Sequence, residues 1–176
     1  LAAAIRQMED IGMDVVADHE AALTGYALQR LTEVPGIKIY GDTDPDRAST
    51  RLGVIPLNIK GLSHFLVAAI LGHEFGIGVR SGCFCAHPYI LHLLKLNPTE
   101  ATALRNRMLA GDKSEMPGMV RASFGLYNST DDIEALVEAL TRIAQGKYTG
   151  IYHQDRSSGE FKPEGWNPIF DQYFSL

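Results

Sequence analysis

Both cysteines of the 176-residue chain lie in one short stretch, VRSGCFCAHP. Cys83 and Cys85 are separated by one residue, with Arg80 before them and His87 after them. The stretch is compatible with a reactive thiol, a metal site, a disulfide or two inert core residues. A thiolate is the nucleophilic form of cysteine, and nearby positive charge or a helix N-terminus raises its population. The flanking cationic residues and a helix predicted to begin at Pro88 therefore favour a reactive thiol, with Cys85 as the nucleophile.

The three competing interpretations of this stretch fit less well. Structural zinc takes four ligands and usually has two to four residues between cysteines, whereas Cys83, Cys85 and His87 supply three and no second cluster exists. A disulfide between positions i and i+2 would close a strained ring. Free cysteine is often buried and inert, but this loop joins a strand end to a helix start, where functional residues are common.

Composition excludes several classes of protein. The formal net charge is −5 and 21% of the residues are charged, so no basic surplus favours nucleic acid binding. No apolar run reaches the length of a membrane span, and the start, LAAAIRQMED, does not resemble a secretory signal. We expect a cytoplasmic protein that keeps its cysteines as thiols.

The elements that must position these residues follow from periodicity and turn signals. Helices are predicted at 2–9, 14–32, 62–75, 88–96, 98–110 and 131–144, and strands at 37–40, 52–59, 77–79 and 120–126. This order predicts an α/β fold of the α+β two-layer type, with helices packed on a small mixed sheet. Pro56 predicts an edge or a bulge in its strand. Asn97 with Glu100 and Ser129 with Asp132 are typical of capped helix starts.

Arg121 is the second candidate for chemistry. On its predicted strand it lies on the face opposite Val120 and Phe124, so it need not enter the core. A guanidinium forks onto a carboxylate with two parallel hydrogen bonds, which lysine cannot copy. The competing interpretation is a surface salt bridge. Arg80 either shapes the cysteine loop, favours the thiolate or pairs with a nearby acid. His87 either relays a proton or is solvated.

VRSGCFCAHP, followed later by MVRASFGLYNSTDDIEALVEAL, resembles the C-terminal part of class V aminotransferases, and within them the cysteine desulfurases. The resemblance covers residues 1–146. It implies an enzyme of fold type I, usually a homodimer, that binds pyridoxal 5'-phosphate through a lysine of a large N-terminal domain. At matched positions, it implies that Cys85 takes sulfur from substrate cysteine as a persulfide and releases alanine, while Arg121 binds the substrate carboxylate.

The chain also departs from this family. None of its six lysines lies in the cofactor-lysine context, and no glycine-rich phosphate cradle appears. We therefore expect residues 1–146 to be a C-terminal small domain, with 1–33 as domain-linking helices, that does not hold the cofactor alone. The absence of an initial Met agrees with a fragment. Residues 147–176 match nothing in the family and are expected to form an aromatic tail that wraps over a surface or a partner.

The sequence leaves several alternative functions open. Cys83 and Phe84 replace the residues usual before the catalytic cysteine, and a Cys-Phe-Cys tripeptide also occurs in molybdenum cofactor sulfurases. A different class V reaction, such as transamination, epimerisation or a lyase step, needs Arg121 and the cofactor but no thiol. A non-enzymatic binding module is the last alternative. The expected partners are an amino-acid substrate and a sulfur-acceptor protein.

Overall fold

Two consecutive helices form the first part of the chain, α1 at Ala2–Ile11 and α2 at Met13–Leu31. Gly12 separates them with a φ of 91°, a conformation that glycine adopts readily and other residues rarely do. The computed structural model describes residues 1–168. The remaining elements are β1 Ile37–Ile39, a 3₁₀ turn Pro45–Thr50, β2 Val54–Ile59, α3 His64–Phe75, β3 Arg80–Gly82, α4 His87–Leu93, α5 Pro98–Leu109, β4 Met119–Ser123, α6 Thr130–Ala144, β5 Tyr152–Gln154 and β6 Phe161–Pro163.

The central sheet has the strand order β1-β2-β4-β3. All its pairings in the described part are antiparallel, so the α+β class is confirmed while the sheet is antiparallel rather than mixed. Pro56 lies in an interior strand, not at an edge. Its carbonyl accepts from Tyr40 N, at 3.0 Å, so its nitrogen also faces the β1 side. Because β1 has already ended at Ile39, the proline removes no ladder bond within the paired strands.

One face of the sheet carries the main core. Helices α2, α3 and α6 pack there, and alternate residues of β2 face them. The fully buried side chains at the centre are Leu28, Leu31, Ile55, Leu57, Ile70, Leu71, Ile133, Leu140 and Ile143. The stripe of α6 and both predicted capping boxes, at Asn97 and Ser129, are present. This packing leaves β4 with one side chain face in the core and the other facing α4.

The strand before the cysteines begins three residues later than predicted. Residues 77–79 are not a strand, because Ile77 N bonds Leu71 O at 2.9 Å and completes the C-terminal cap of α3. Gly76 has a φ of 67° in that cap. Similarly, α4 ends at Leu93 rather than at 96, since Lys95 has a φ of 59°. The cysteine loop is therefore entered from β3 through Gly82.

Residues 147–168 contain regular structure that the sequence did not predict. β5 and β6 form an antiparallel hairpin, with Tyr152 opposite Pro163. The root of the hairpin is held to α3 by Glu74, whose carboxylate accepts from Thr149 N, Gly150 N and the Tyr152 hydroxyl. The tail contacts its own chain as far as Trp166, whose ring centre lies 5.3 Å from that of His73. Phe170, Tyr173 and Phe174 lie outside the described residues.

Candidate active site

The two cysteines lie on a tight turn between β3 and α4. Ala86 N donates to Cys83 O at 2.8 Å, and the two central residues, Phe84 and Cys85, have φ values of 53° and 61°. Positive φ at both central residues is the pattern of a type I′ turn, which usually takes Asn and Gly. For other residues this conformation costs about 1–2 kcal/mol each. Such strain is typically kept at functional sites.

This turn makes the two thiols unequal. Cys83 is 5% exposed and packs with Tyr40, Ile90 and Met119. Its Sγ donates to Pro117 O at 2.8 Å, and burial raises the pKa of this thiol. Cys85 is exposed, and both thiols are free in the described part of the chain. Cys83 thus fits the inert-core interpretation, and Cys85 is accessible to a reactant.

Arg121 lies on the face of β4 opposite the main core, as expected from strand alternation. Its guanidinium carbon lies 5.0 Å from the centre of the Phe84 ring, a distance typical of a cation–π contact. Its Nε is buried and has no hydrogen-bond partner among residues 1–168. A buried donor without a partner costs about 1–3 kcal/mol, so Arg121 is held beside the cysteine turn at a cost that an ordinary surface arginine does not carry.

Arg80 stands directly across from Arg121 in the pairing of β3 with β4. Residues paired in this way share a face of the sheet, and like charges opposite each other are destabilising. Arg80 is exposed, which lessens the repulsion. A carboxylate between the two guanidinium groups would offset it, so this corner of the sheet favours binding of an anion.

His64 ties the strand before the turn to the loop that precedes β4. Its Nδ1 lies 2.7 Å from Ser81 Oγ and its Nε2 lies 2.9 Å from Met116 O. Because a carbonyl only accepts, Nε2 carries the hydrogen and the Ser81 hydroxyl donates to Nδ1. Burial lowers the pKa of His64, while the bond to Met116 opposes this shift. His64 is therefore a neutral structural link.

The remaining predicted site residue, His87, is the exposed first residue of α4. It borders an apolar cavity together with Leu91, Met116 and Pro117. Among residues 1–168, no group of three or more His, Cys, Asp or Glu side chains could hold a metal ion. No helix within that same range is long and apolar enough to cross a membrane.

Sequence reasoning missed two contributions to this site. The first is Phe84, whose ring covers Arg121, and the second is the carbonyl of Pro117, which binds the Cys83 thiol. A Phe-Cys pair carries no turn signature, so no local signal indicated the turn. The carbonyl contact joins positions 34 residues apart and is visible only in the folded chain.

Comparisons with known proteins agree on one family. The family model described as aminotransferase class-V matches residues 1–136. A probable cysteine desulfurase of Halalkalibacterium halodurans is 38% identical over 145 residues, which cover 82% of this chain and 29% of that relative. A probable cysteine desulfurase of Halobacterium salinarum is 33% identical with the same coverage. The chain thus spans about three tenths of the length of the curated relatives it matches.

Solved structures give the same result for the fold. The apo structure of the cysteine desulfurase of Thermococcus onnurineus NA1 has a TM-score of 0.57 and 29% identity, over 82% of this chain and 30% of its own. The cysteine desulfurase CsdA of Escherichia coli has a TM-score of 0.57 at 23% identity, over 84% of this chain and 29% of its own. The family match ends before the hairpin of residues 152–163.

Proposed function

This chain belongs to the aminotransferase class-V family, and we propose that it carries the thiol loop of a cysteine desulfurase. In this role Cys85 accepts the sulfur of L-cysteine, and Arg121 binds the carboxylate of the same substrate. The observation that carries the proposal is that Cys85 is exposed on a strained turn beside Arg121. The neighbouring Phe84 ring covers Arg121, whose Nε has no partner within residues 1–168. The relatives named cysteine desulfurases support this choice of reaction.

The proposed step is a transfer of sulfur to Cys85. Its thiolate attacks the substrate sulfur, so that an S–S bond forms while the bond between that sulfur and the substrate carbon breaks. The electron pair of the broken bond stays on the carbon, which then takes a proton. The products are a persulfide on Cys85 and alanine. An exposed thiol suits this step because both the substrate and a later sulfur acceptor must reach it.

The family implies pyridoxal 5'-phosphate, but the residues of this chain do not fit the task of holding it. A lysine that bonds the cofactor is usually activated by desolvation or by a neighbouring cation. All six lysines of the chain, each within the described residues, are exposed. We therefore assign the cofactor to protein outside this chain, and assign to this chain the thiol and the carboxylate site.

Further partners follow from the same proposal. We propose an amino-acid substrate, a sulfur-acceptor protein and a homodimer, acting in the cytoplasm. Helix α1 supports contact with more protein, because none of its residues is buried within the described structure. Its neighbourhood exposes Ile5, Met13 and Val15, and such apolar surface is typical of an interface. Arg80 and His87 are proposed as supporting residues at the anion site and the loop.

The decisive test exchanges each cysteine for serine in an enzyme that contains this chain together with the cofactor-binding lysine. We expect Cys85→Ser to abolish persulfide formation from L-cysteine, because serine cannot accept sulfur. Cys83→Ser is the matched control, since its hydroxyl still donates to Pro117 O and sulfur transfer continues. Persulfide is measured by mass spectrometry of the labelled protein. Undiminished sulfur transfer in Cys85→Ser would refute the proposal.

Arg121 is tested by its effect on substrate binding. Hydrogen bonds to charged groups contribute about 1.5–3 kcal/mol, so Arg121→Gln is expected to raise the KM for L-cysteine by about 10- to 100-fold. Arg121→Lys keeps the charge but loses the fork and should recover only part of the affinity. An unchanged KM in Arg121→Gln would place the carboxylate elsewhere. Alanine or a keto acid formed without persulfide would favour another class V reaction.

A further inference from the structure

One loop lies between the cysteine turn and the C-terminal hairpin. Residues 111–118, here called the connecting loop, join α5 to β4. The hairpin of residues 152–163 lies beyond the family match, which ends at residue 136. Its contacts with the connecting loop therefore join a segment outside the family match to a segment inside it.

The hairpin binds the first half of the connecting loop through three hydrogen bonds. Arg156 Nη2 donates to Asp112 Oδ2 at 2.6 Å, and Lys113 N donates to Arg156 O at 2.7 Å. Gln154 Nε2 donates to Ser114 O at 2.9 Å and to Gly159 O at 3.0 Å. The ion pair with Arg156 lowers the pKa of Asp112 well below its usual range, and the bonds from Ser114 act in the same direction.

Gly159 allows the hairpin to approach the connecting loop this closely. A Cβ at this position would lie 2.7 Å from Lys113 O and 2.7 Å from a carbon of the Phe65 ring. The φ of Gly159 is 84°, which side chains rarely adopt. The contact is therefore tight on the loop backbone and on α3 at once, so a side chain at position 159 would push the hairpin away from both.

The second half of the connecting loop is bound to the cysteine turn, to α3 and to β2. Pro117 O accepts from Cys83 Sγ, and Met116 O accepts from His64 Nε2. Gly118 O accepts from Asn58 Nδ2 at 3.1 Å. Three consecutive carbonyls are thus bound by groups around the turn, while the preceding residues are bound by the hairpin.

We propose that the hairpin positions the Cys85 turn by holding the connecting loop, with Arg156, Gln154 and Gly159 as positioning residues. Its effect on sulfur transfer rests on the proposed function. The effect of the hairpin on the turn is independent of the proposed function, because it acts through the hydrogen bond between Cys83 and Pro117. Release of the hairpin frees the connecting loop, loosens this bond and exposes the Cys83 thiol.

The test measures alkylation of the two cysteines by iodoacetamide in the 176-residue chain, without cofactor. Cys85 is exposed and serves as the internal reference for Cys83. Exposed ion pairs contribute little, so Arg156→Gln is expected to raise the Cys83 rate about two- to fivefold relative to Cys85. Gly159→Ala is expected to raise this ratio by more than about tenfold, since it forces the hairpin from the loop. Arg156→Lys should return the ratio toward its original value.

Two controls separate positioning from general destabilisation. Glu160→Gln changes an exposed residue of the same hairpin and should leave the ratio unchanged. Glu134→Gln removes the carboxylate that binds Arg30 and Tyr26 between α6 and α2, remote from the connecting loop. It should lower the stability of the fold without raising the Cys83 ratio.

Two results would overturn the proposal. The first is an unchanged ratio of the Cys83 to the Cys85 alkylation rate in Gly159→Ala when the hairpin has moved. Movement of the hairpin is reported by the fluorescence of Trp166, the single tryptophan of the chain. The other is an equal rise of the ratio in Glu134→Gln and Arg156→Gln. Neither result bears on whether Cys85 accepts sulfur, so the two proposals fail separately.

Discussion

Gly118→Ala tests the close packing behind the cysteine turn. A Cβ on Gly118 would lie 2.6 Å from His64 Nε2 and 2.8 Å from Gly82 Cα. Either the buried His64 ring or the backbone that leads into the turn must move. Overpacking of this kind costs about 1–3 kcal/mol, and loss of the bond from His64 to Met116 adds about 1 kcal/mol. We therefore expect the free energy of unfolding to fall by about 2–4 kcal/mol.

Gly72→Ala is the matched control for this prediction. Gly72 lies inside α3, and a Cβ added there would have no atom of residues 1–168 outside its own helix backbone within 4 Å. Alanine in a helix interior is favoured over glycine by about 0.5–1 kcal/mol. Replacement of glycine by alanine should thus stabilise the fold at position 72 and destabilise it at position 118.

Urea unfolding followed by circular dichroism measures both variants. The two free energies of unfolding should differ by about 2.5–5 kcal/mol, with similar dependence on urea concentration. If Gly118→Ala stays within about 0.5 kcal/mol of the original chain, a range typical of neutral surface changes, the packing argument is wrong. The same variant is also expected to expose Cys83 to alkylation, because Pro117 precedes the altered residue.

Two further predictions concern the hairpin and α5. Burial raises the pKa of Glu74, but four hydrogen bonds to its carboxylate outweigh burial and lower the pKa below 4.5. The stabilisation that ionised Glu74 gives is complete above about pH 4.5 and is lost as the pH falls through the lower pKa of Glu74 in the folded chain. Trp166 fluorescence should therefore report release of the hairpin in acid. Glu74→Gln should remove that transition. Helix α5 has no buried residue among those described. Asn97→Ala removes the hydrogen bond that caps Glu100 N and should lower the stability of this helix by about 1 kcal/mol. We expect faster proteolysis within α5 with unchanged global unfolding, and equal protease sensitivity would contradict this prediction.

The helices were predictable because their signals are local. The apolar stripe of α6 repeats at helical spacing, and the capping residues Asn97 and Ser129 act on backbone groups three positions away. The order of helices and strands in the two-layer fold followed from these signals. The start of β3 was not predictable in the same way, because Ile77 has strand-like character yet completes the cap of α3.

The two strands of the hairpin have a local signal in the sequence. Residues 151–154 and 160–163 carry aromatic and alternating residues on either side of the turn-rich stretch DRSSG, a pattern that predicts two paired strands. The sequence could not indicate where the hairpin packs. That depends on Glu74 and Gly159, whose partners lie far away along the chain.

The sequence indicates which residue types are available for chemistry at the candidate site, but it does not indicate their geometry. Arg121 faces away from the core as strand alternation requires. The burial of Cys83 and the exposure of Cys85 depend on the positive φ values of Phe84 and Cys85, and neither residue type predicts such a turn. Sequence alone favoured Cys85 because it lies nearer the predicted helix start, whereas only the fold shows that Cys83 is buried and Cys85 is exposed.

Under the proposed function, this separation bears on which group would take the sulfur from Cys85. A relay to Cys83 would need the Cys83 thiolate, but burial raises the pKa of that thiol, and its hydrogen is used in the bond to Pro117 O. A relay would also break one of the bonds that hold the connecting loop. Because Cys85 is exposed, an acceptor from outside can reach the persulfide without either cost. We therefore expect Cys83→Ser to pass sulfur to an added thiol at the rate of the unaltered protein, and a loss of transfer in this variant would instead make Cys83 part of the path.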